Sequence, residues 1–174
     1  MTTTHDCRPT DPSFLDTAPE RHVLSVELAC TPAQLFAILE DPAAWSKWAP
    51  GITGVEWTSK APFGVGATRT VSFVGGAKID EKFTTWEPGR KLAFHVERAT
   101  EAIFWQFAES YEIEPVGEGR CKLTWTVAYD PQAGFAKVHP WVRPAMRLTL
   151  RGFTLLLQRY AGKQARRAPV AATA

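Results

Sequence analysis

Four side chains near the middle of the chain have the types and spacing needed to move a proton or to orient a polar group: Arg69, Glu81, Glu109 and Tyr111. Each falls on the more apolar parity of a strand-like segment. Successive strand side chains point to opposite faces, so residues 67–74 turn Ala67, Arg69, Val71 and Phe73 inward, and residues 78–85 turn in Ile79, Glu81, Phe83 and Thr85. The same parity collects Ile103, Trp105, Phe107, Glu109, Tyr111 and Ile113, then Cys121, Leu123, Trp125, Val127 and Tyr129. Residues 91–98 run in the other phase, with Leu92, Phe94 and Val96 inward and His95 outward. An ion taken out of water costs several kcal/mol unless it is paired. Arg69, Glu81 and Glu109 are therefore expected to pair with one another, to reach a cavity mouth, or to hold something polar, and all three options stay open. A single bulge would reverse the assignment of a whole strand.

The elements that position these groups are punctuated clearly. Residues 21–29 suit a first strand. Thr31-Pro32-Ala33-Gln34 has the N-cap, N1 proline and third-position Gln of a capping box, predicting a short helix to Glu40 with Leu35, Phe36, Ile38 and Leu39 on its apolar face. Asp41-Pro42 starts a second short helix carrying Trp45 and Trp48, which Pro50-Gly51 stops. A strand over residues 52–59 and a loop with Pro62, Gly64 and Gly66 lead into the main sheet. Gly75-Gly76, Glu87-Pro88-Gly89-Arg90 and residues 115–119 then read as tight hairpin turns between antiparallel neighbours. From about Pro144 to Gln164 a long helix is expected, with an apolar stripe of Trp141, Ala145, Leu148, Gly152, Leu155, Leu156 and Tyr160 beside a row of Arg143, Arg147 and Arg151.

At 174 residues the chain suits one domain, and a chain of this size buries roughly 70% of its unfolded surface, enough for a core and a pocket. Residues 1–20 read as a mobile tail, 21–164 as the domain and 165–174 as a frayed end. The formal net charge of +2 argues against a nucleic-acid partner, the only basic cluster being local to the last helix and tail. No signal-peptide pattern and no bilayer-length apolar stretch are seen, so a cytoplasmic location without stable membrane insertion is expected. Cys7, Cys30 and Cys121 form no paired framework and read as reduced thiols.

No zinc-protease, serine-hydrolase or P-loop signature occurs, and no metal or cofactor is expected. Gly64-Val65-Gly66 leads into a strand and lacks the helix N-terminus that cradles phosphate. His5, His22, His95 and His139 are scattered, and the arginine row reads as a solvated helix face.

In order along the chain, several stretches carry a family resemblance. Cys30-Thr31-Pro32-Ala33-Gln34-Leu35-Phe36-Ala37-Ile38-Leu39 resembles a strand-to-helix turn, Asp41-Pro42 through Trp45-Ser46-Lys47-Trp48-Ala49-Pro50-Gly51-Ile52 a tryptophan-rich second helix, and Phe63-Gly64-Val65-Gly66-Ala67-Thr68 a glycine-containing approach to the third strand. Trp86-Glu87-Pro88-Gly89-Arg90-Lys91-Leu92 and Leu123-Thr124-Trp125 are similar to its later hairpin and penultimate element. Over residues 21–164 the chain resembles the START-like SRPBCC superfamily, in its polyketide cyclase/dehydrase and lipid-transport branch. The resemblance implies an α+β helix-grip fold: a seven-stranded curved antiparallel sheet wrapped around a long C-terminal helix, with two short helices after the first strand closing one end. It carries over no short catalytic motif, and fold alone does not fix function.

The leading expectation is a domain that binds an apolar or aromatic small molecule, such as a lipid or polyketide-like compound, between sheet and helix. Its walls would be Phe73, Phe83, Phe94, Trp105, Tyr111, Trp125 and the helix near Trp141 and Ala145, with Arg69, Glu81 and Glu109 orienting the guest. The alternative is a cyclase or dehydrase in which Arg69 stabilises an enolate while Glu81, Glu109 or Tyr111 transfers protons. A protein-interaction adaptor presenting Trp45 and Trp48 is a third reading.

Overall fold

A computed structural model describes residues 3–167. The element order is β1 (His5–Asp6), α1 (Phe14–Thr17), β2 (Glu20–Leu28), α2 (Pro32–Glu40), α3 (Pro42–Trp48), β3 (Ile52–Trp57), β4 (Thr68–Phe73), β5 (Lys78–Glu87), β6 (Lys91–Ala99), β7 (Phe104–Gly117), β8 (Arg120–Pro131), α4 (Ala133–Ala136) and α5 (His139–Arg167). Seven antiparallel strands follow the order β2-β8-β7-β6-β5-β4-β3, and β1 adds an eighth by pairing with β6. The sheet thus exceeds the expected seven strands by one two-residue strand.

Local chemistry fixes the start of the domain. Thr31 accepts from the Gln34 amide at 3.2 Å while Gln34 Oε1 accepts from the Thr31 amide at 2.9 Å, completing the capping box. Asp41 caps α3 by accepting from the Ala43 amide at 2.9 Å. These caps place Leu35, Leu39, Trp45 and Trp48 in the core, the last at 1% exposure. A Thr31→Ala variant is expected to lose about 1 kcal/mol of stability, measured by urea unfolding, because the Gln34 amide at the helix start loses its acceptor. The turns match their glycines: Gly75, Gly76 and Gly89 all adopt positive φ, at 87°, 90° and 72°.

The described part of the expected tail, residues 3–20, contributes a strand and a helix to the domain. Pairing of β6 with β7 stops at His95–Ala108, and the N-terminal segment lies across the gap beyond it. The Cys7 amide donates to the Glu97 carbonyl at 2.8 Å and the Arg8 amide to the Trp105 carbonyl at 2.7 Å, bridging the two separated strands. Phe14 of α1 then packs on Ala108 and Ala128 across the outer face. His95 lies on that face, as parity requires, yet it is buried and its Nδ1 has no partner among the described residues. At the other end α5 continues through Arg167, so residues 165–167 are helical; residues 1–2 and 168–174 lie outside the described part.

The long helix forms where expected but presents a partly different face to the core, keeping only Leu156 and Tyr160 of the expected stripe against it. Leu150, Leu157 and Ala161 are buried and Met146 and Phe153 pack against them, a stripe with spacings of three and four. Trp141 and Leu148, from the expected stripe, are 85% and 67% exposed. Both stripes have helical spacing. The start of α5 is held by a buried chain of hydrogen bonds: Tyr129 Oη lies 3.1 Å from His22 Nε2 and 2.7 Å from His139 Nε2. Arg143 adds an ion pair to Glu20 at 3.1 Å. Cys30 and Cys121 face each other as free thiols, their sulfurs 3.9 Å apart.

Candidate functional site

Between the concave face of the sheet, α3 and α5 lies a cavity of about 400 Å³. Its sheet side carries Phe73, Phe94, Phe107 and Trp125; α3 supplies Trp45 and Trp48, and α5 supplies Leu150 and Phe153. Pro50, Lys78 and Glu101 also border it and are exposed, marking its mouth. The walls are almost wholly apolar, and the polar side chains among the deep residues are Glu81, Glu109 and Tyr111.

Sheet register brings these groups together. Arg69 and Glu81 are direct cross-strand partners on β4 and β5, and Arg69 Nε donates to Glu81 Oε2 at 2.5 Å with both side chains almost fully buried. The guanidinium also donates to the Leu39 carbonyl at 3.5 Å and lies 4.5 Å from the Trp45 ring and 5.0 Å from Phe83. Aromatic faces stabilise a desolvated guanidinium in this arrangement. Arg69 and Phe83 thus stand behind the cavity wall, with Glu81 between them and the hollow. Burial raises the Glu81 carboxyl above its ordinary value, while the Arg69 charge and hydrogen bond pull it back.

The second polar group is built on β7 and β8. Tyr111 and Trp125 are opposite one another, stacked with ring centroids 5.5 Å apart. Glu109 Oε2 accepts from the Tyr111 hydroxyl at 2.5 Å and from Trp125 Nε1 at 2.9 Å. Glu109 keeps some accessible surface because it borders the hollow, although protein surrounds it. Burial pushes its carboxyl up to about 7; the Tyr111 hydrogen bond opposes that rise and the Glu81 charge adds to it. The Tyr111 hydroxyl is pushed well above its ordinary value, first by burial and then by Glu109. Near neutral pH the site therefore offers a carboxyl that can donate or accept a hydrogen bond inside an apolar chamber.

Six of the sequence candidates border the cavity: Phe73, Glu81, Phe94, Glu109, Tyr111 and Trp125. Trp105 does not. A bulge between Phe104 and Gln106 turns its ring to the outer face, where Arg8 lies 4.8 Å away, and Phe104 takes the inward place. Trp141 and Ala145 are exposed on the outer side of α5, and Leu150 and Phe153 stand in their stead. Parity also fails at the end of β5, where a shift after Phe83 turns Trp86, not Thr85, toward the core. Trp48 lines the cavity with a buried Nε1 that has no partner among the described residues. Among those residues no cluster of three or more His, Cys, Asp or Glu could hold a metal ion.

A curved sheet gripping one long helix around such a hollow is the helix-grip architecture of START-like proteins. Residues 21–159 match the family described as polyketide cyclase / dehydrase and lipid transport, and the chain belongs to that family. An uncharacterized protein of Mycobacterium tuberculosis is 43% identical over 157 residues, spanning 90% of this chain and 93% of that one. Among solved structures, the Zhui aromatase/cyclase of a Streptomyces species superimposes with a TM-score of 0.66 at 14% identity, over 88% of this chain and 97% of that chain. A START superfamily protein from Mycobacterium smegmatis gives 0.64 at 13% identity, over 84% and 97%. At these identities the structural matches establish the fold alone. Among the described residues no helix is long and apolar enough to cross a membrane.

Proposed function

We propose that the domain binds a compact apolar or aromatic molecule bearing one polar group, and that the polar group docks at Glu109 and Tyr111. The observation that carries this reading is the pairing of a nearly all-apolar hollow with one ligand-facing carboxyl near neutrality. Small-molecule sites usually measure roughly 300–1,000 Å³. At about 400 Å³ this one suits a fused ring system or a single short chain better than a two-chain lipid. Affinity would come from apolar burial at about 25 cal/mol per Å², and orientation from the carboxyl. The family's lipid-transport and cyclase labels are both compatible with such a guest, as is a cytoplasmic setting.

A probe with an aromatic body and a carbonyl, 2-acetylnaphthalene, tests the proposal by quenching of tryptophan fluorescence. A carbonyl only accepts hydrogen bonds, so it is expected to bind the protonated carboxyl and to weaken by about tenfold as pH rises from 6 to 8.5, a difference of about 1.4 kcal/mol. Glu109→Gln should bind it without that pH dependence. Equal affinity for Ala99→Phe, which fills a wall position of the hollow, or no uptake at all, would overturn the proposal.

A second reading, general acid–base catalysis by Glu109 on a cyclising or dehydrating substrate, is favoured by the same carboxyl. It lacks the electrostatic partner first expected of Arg69, whose guanidinium is occupied by Glu81 and the Leu39 carbonyl. The adaptor reading loses its basis, because Trp45 and Trp48 are buried.

A further inference from the structure

The outer face of α5 has the composition of a contact surface. After Asp130 the sequence contains eight Lys and Arg and no Asp or Glu, in a chain whose formal net charge is only +2. Trp141, Leu148 and Leu155 follow one another at seven-residue steps, which drift by only about 20° around a helix. They form one ridge, 85%, 67% and 54% exposed. With Val138 and Val142 they make up half of the ten large hydrophobic side chains exposed among the described residues. A concentration of this kind marks a surface that meets something apolar.

Arginines run alongside the ridge. Arg143, Arg147 and Arg151 line a groove between α5 and the edge strand β2, with Arg21 and His22 on its other wall. Arg143 is tied to Glu20, while Arg147 and Arg151 make no ion pair among the described residues. An aromatic and aliphatic ridge beside uncompensated arginines fits the boundary between the headgroups and acyl chains of an anionic bilayer. Tryptophan sits well at that depth, and guanidinium forks match phosphate oxygens. A second copy of the chain fits poorly, since two α5 ridges brought together would oppose their arginine rows with no acidic side chain on either helix.

We infer that α5 lays the Trp141–Leu148–Leu155 ridge on an anionic lipid surface, with the Arg143–Arg147–Arg151 row binding lipid phosphates. This is surface docking and needs no spanning helix. The opposite face of the same helix supplies Leu150 and Phe153 to the cavity, so the docked domain would hold one cavity wall against the membrane.

The full-length protein is mixed with vesicles of phosphatidylcholine alone or of equimolar phosphatidylcholine and phosphatidylglycerol, and the bound fraction is read by co-sedimentation. Binding is expected only with phosphatidylglycerol, falling by about tenfold or more on going to 0.5 M salt, where the screening length is only about 4 Å. The exposed-site variants Trp141→Ala/Leu148→Ser/Leu155→Ser and Arg147→Glu/Arg151→Glu should each lose about tenfold in vesicle affinity. Circular dichroism and 2-acetylnaphthalene uptake serve as their folding controls. Absent phosphatidylglycerol-dependent binding, or unchanged binding by either variant, would overturn the inference. So would a dimer in solution that Trp141→Ala dissociates, since the occupant would then be a second copy. The cavity proposal fails separately: vesicle binding without ketone uptake counts against it alone.

Discussion

Replacing Arg69 by leucine is expected to destabilise the domain by about 3–5 kcal/mol at pH 8, because it leaves the Glu81 carboxylate buried without its partner. For a chain of this length each kcal/mol lowers Tm by roughly 2–4 °C, so the loss is on the order of 10 °C. The penalty should shrink at pH 5, where an unpaired buried carboxyl escapes by taking up a proton. The double variant Arg69→Leu/Glu81→Leu should recover most of the loss, since a well-packed apolar pair is often as stable as a buried ion pair. Thermal unfolding of the three proteins at both pH values reads this out. A single variant as stable as the parent, or a double variant no better than the single, would show that the pair does not hold β4 to β5 in the way the geometry implies.

Glu109 is expected to make stability fall as pH rises. Its folded carboxyl titrates at about 7, above the ordinary value of 4.5. Below 4.5 both folded and unfolded chains carry the proton and the group exerts no pH dependence. Between 4.5 and 7 the unfolded chain has released it while the folded chain retains it. Stability associated with the group is therefore complete at low pH and lost as pH climbs through about 7. The span amounts to at most about 3 kcal/mol, and less because Glu109 borders the hollow and is not fully buried. Glu109→Gln should remove this component, so urea unfolding from pH 4.5 to 8.5 should show the variant gaining on the parent as pH increases. Parallel pH profiles would mean that the carboxyl is solvated like a surface group.

The legible and illegible parts of the fold differ for physical reasons. Caps and turns are local: Thr31 with Gln34, Asp41 with Pro42, and Gly89 behind Pro88 act on their own neighbours, and each is found as its sequence suggests. Strand parity also carries far, turning Arg69, Glu81, Glu109, Tyr111 and Trp125 to one face, while the pairing of Arg69 with Glu81 is set by the register of β4 on β5. Parity failed only where register slips. The bulge at Trp105 lies in the pairing of β7 with β8, beside the stretch where β7 has parted from β6 and the N-terminal residues are laid across, and no periodicity within β7 announces it. Nor does helical spacing within α5 alone decide which of two apolar stripes faces inward. The choice depends on the position of β2, α2 and α3 against the helix, a tertiary fact. The outer stripe, unneeded by the core, is the one that the inferred membrane contact uses.

Crystals grown with 2-acetylnaphthalene should show the naphthyl ring between Phe94 and Leu150, with its carbonyl oxygen within hydrogen-bond distance of Glu109 or Tyr111. A chamber closed up by its own side chains under saturating probe, or a probe bound only on the outer surface, would contradict the proposal that this interior receives a guest.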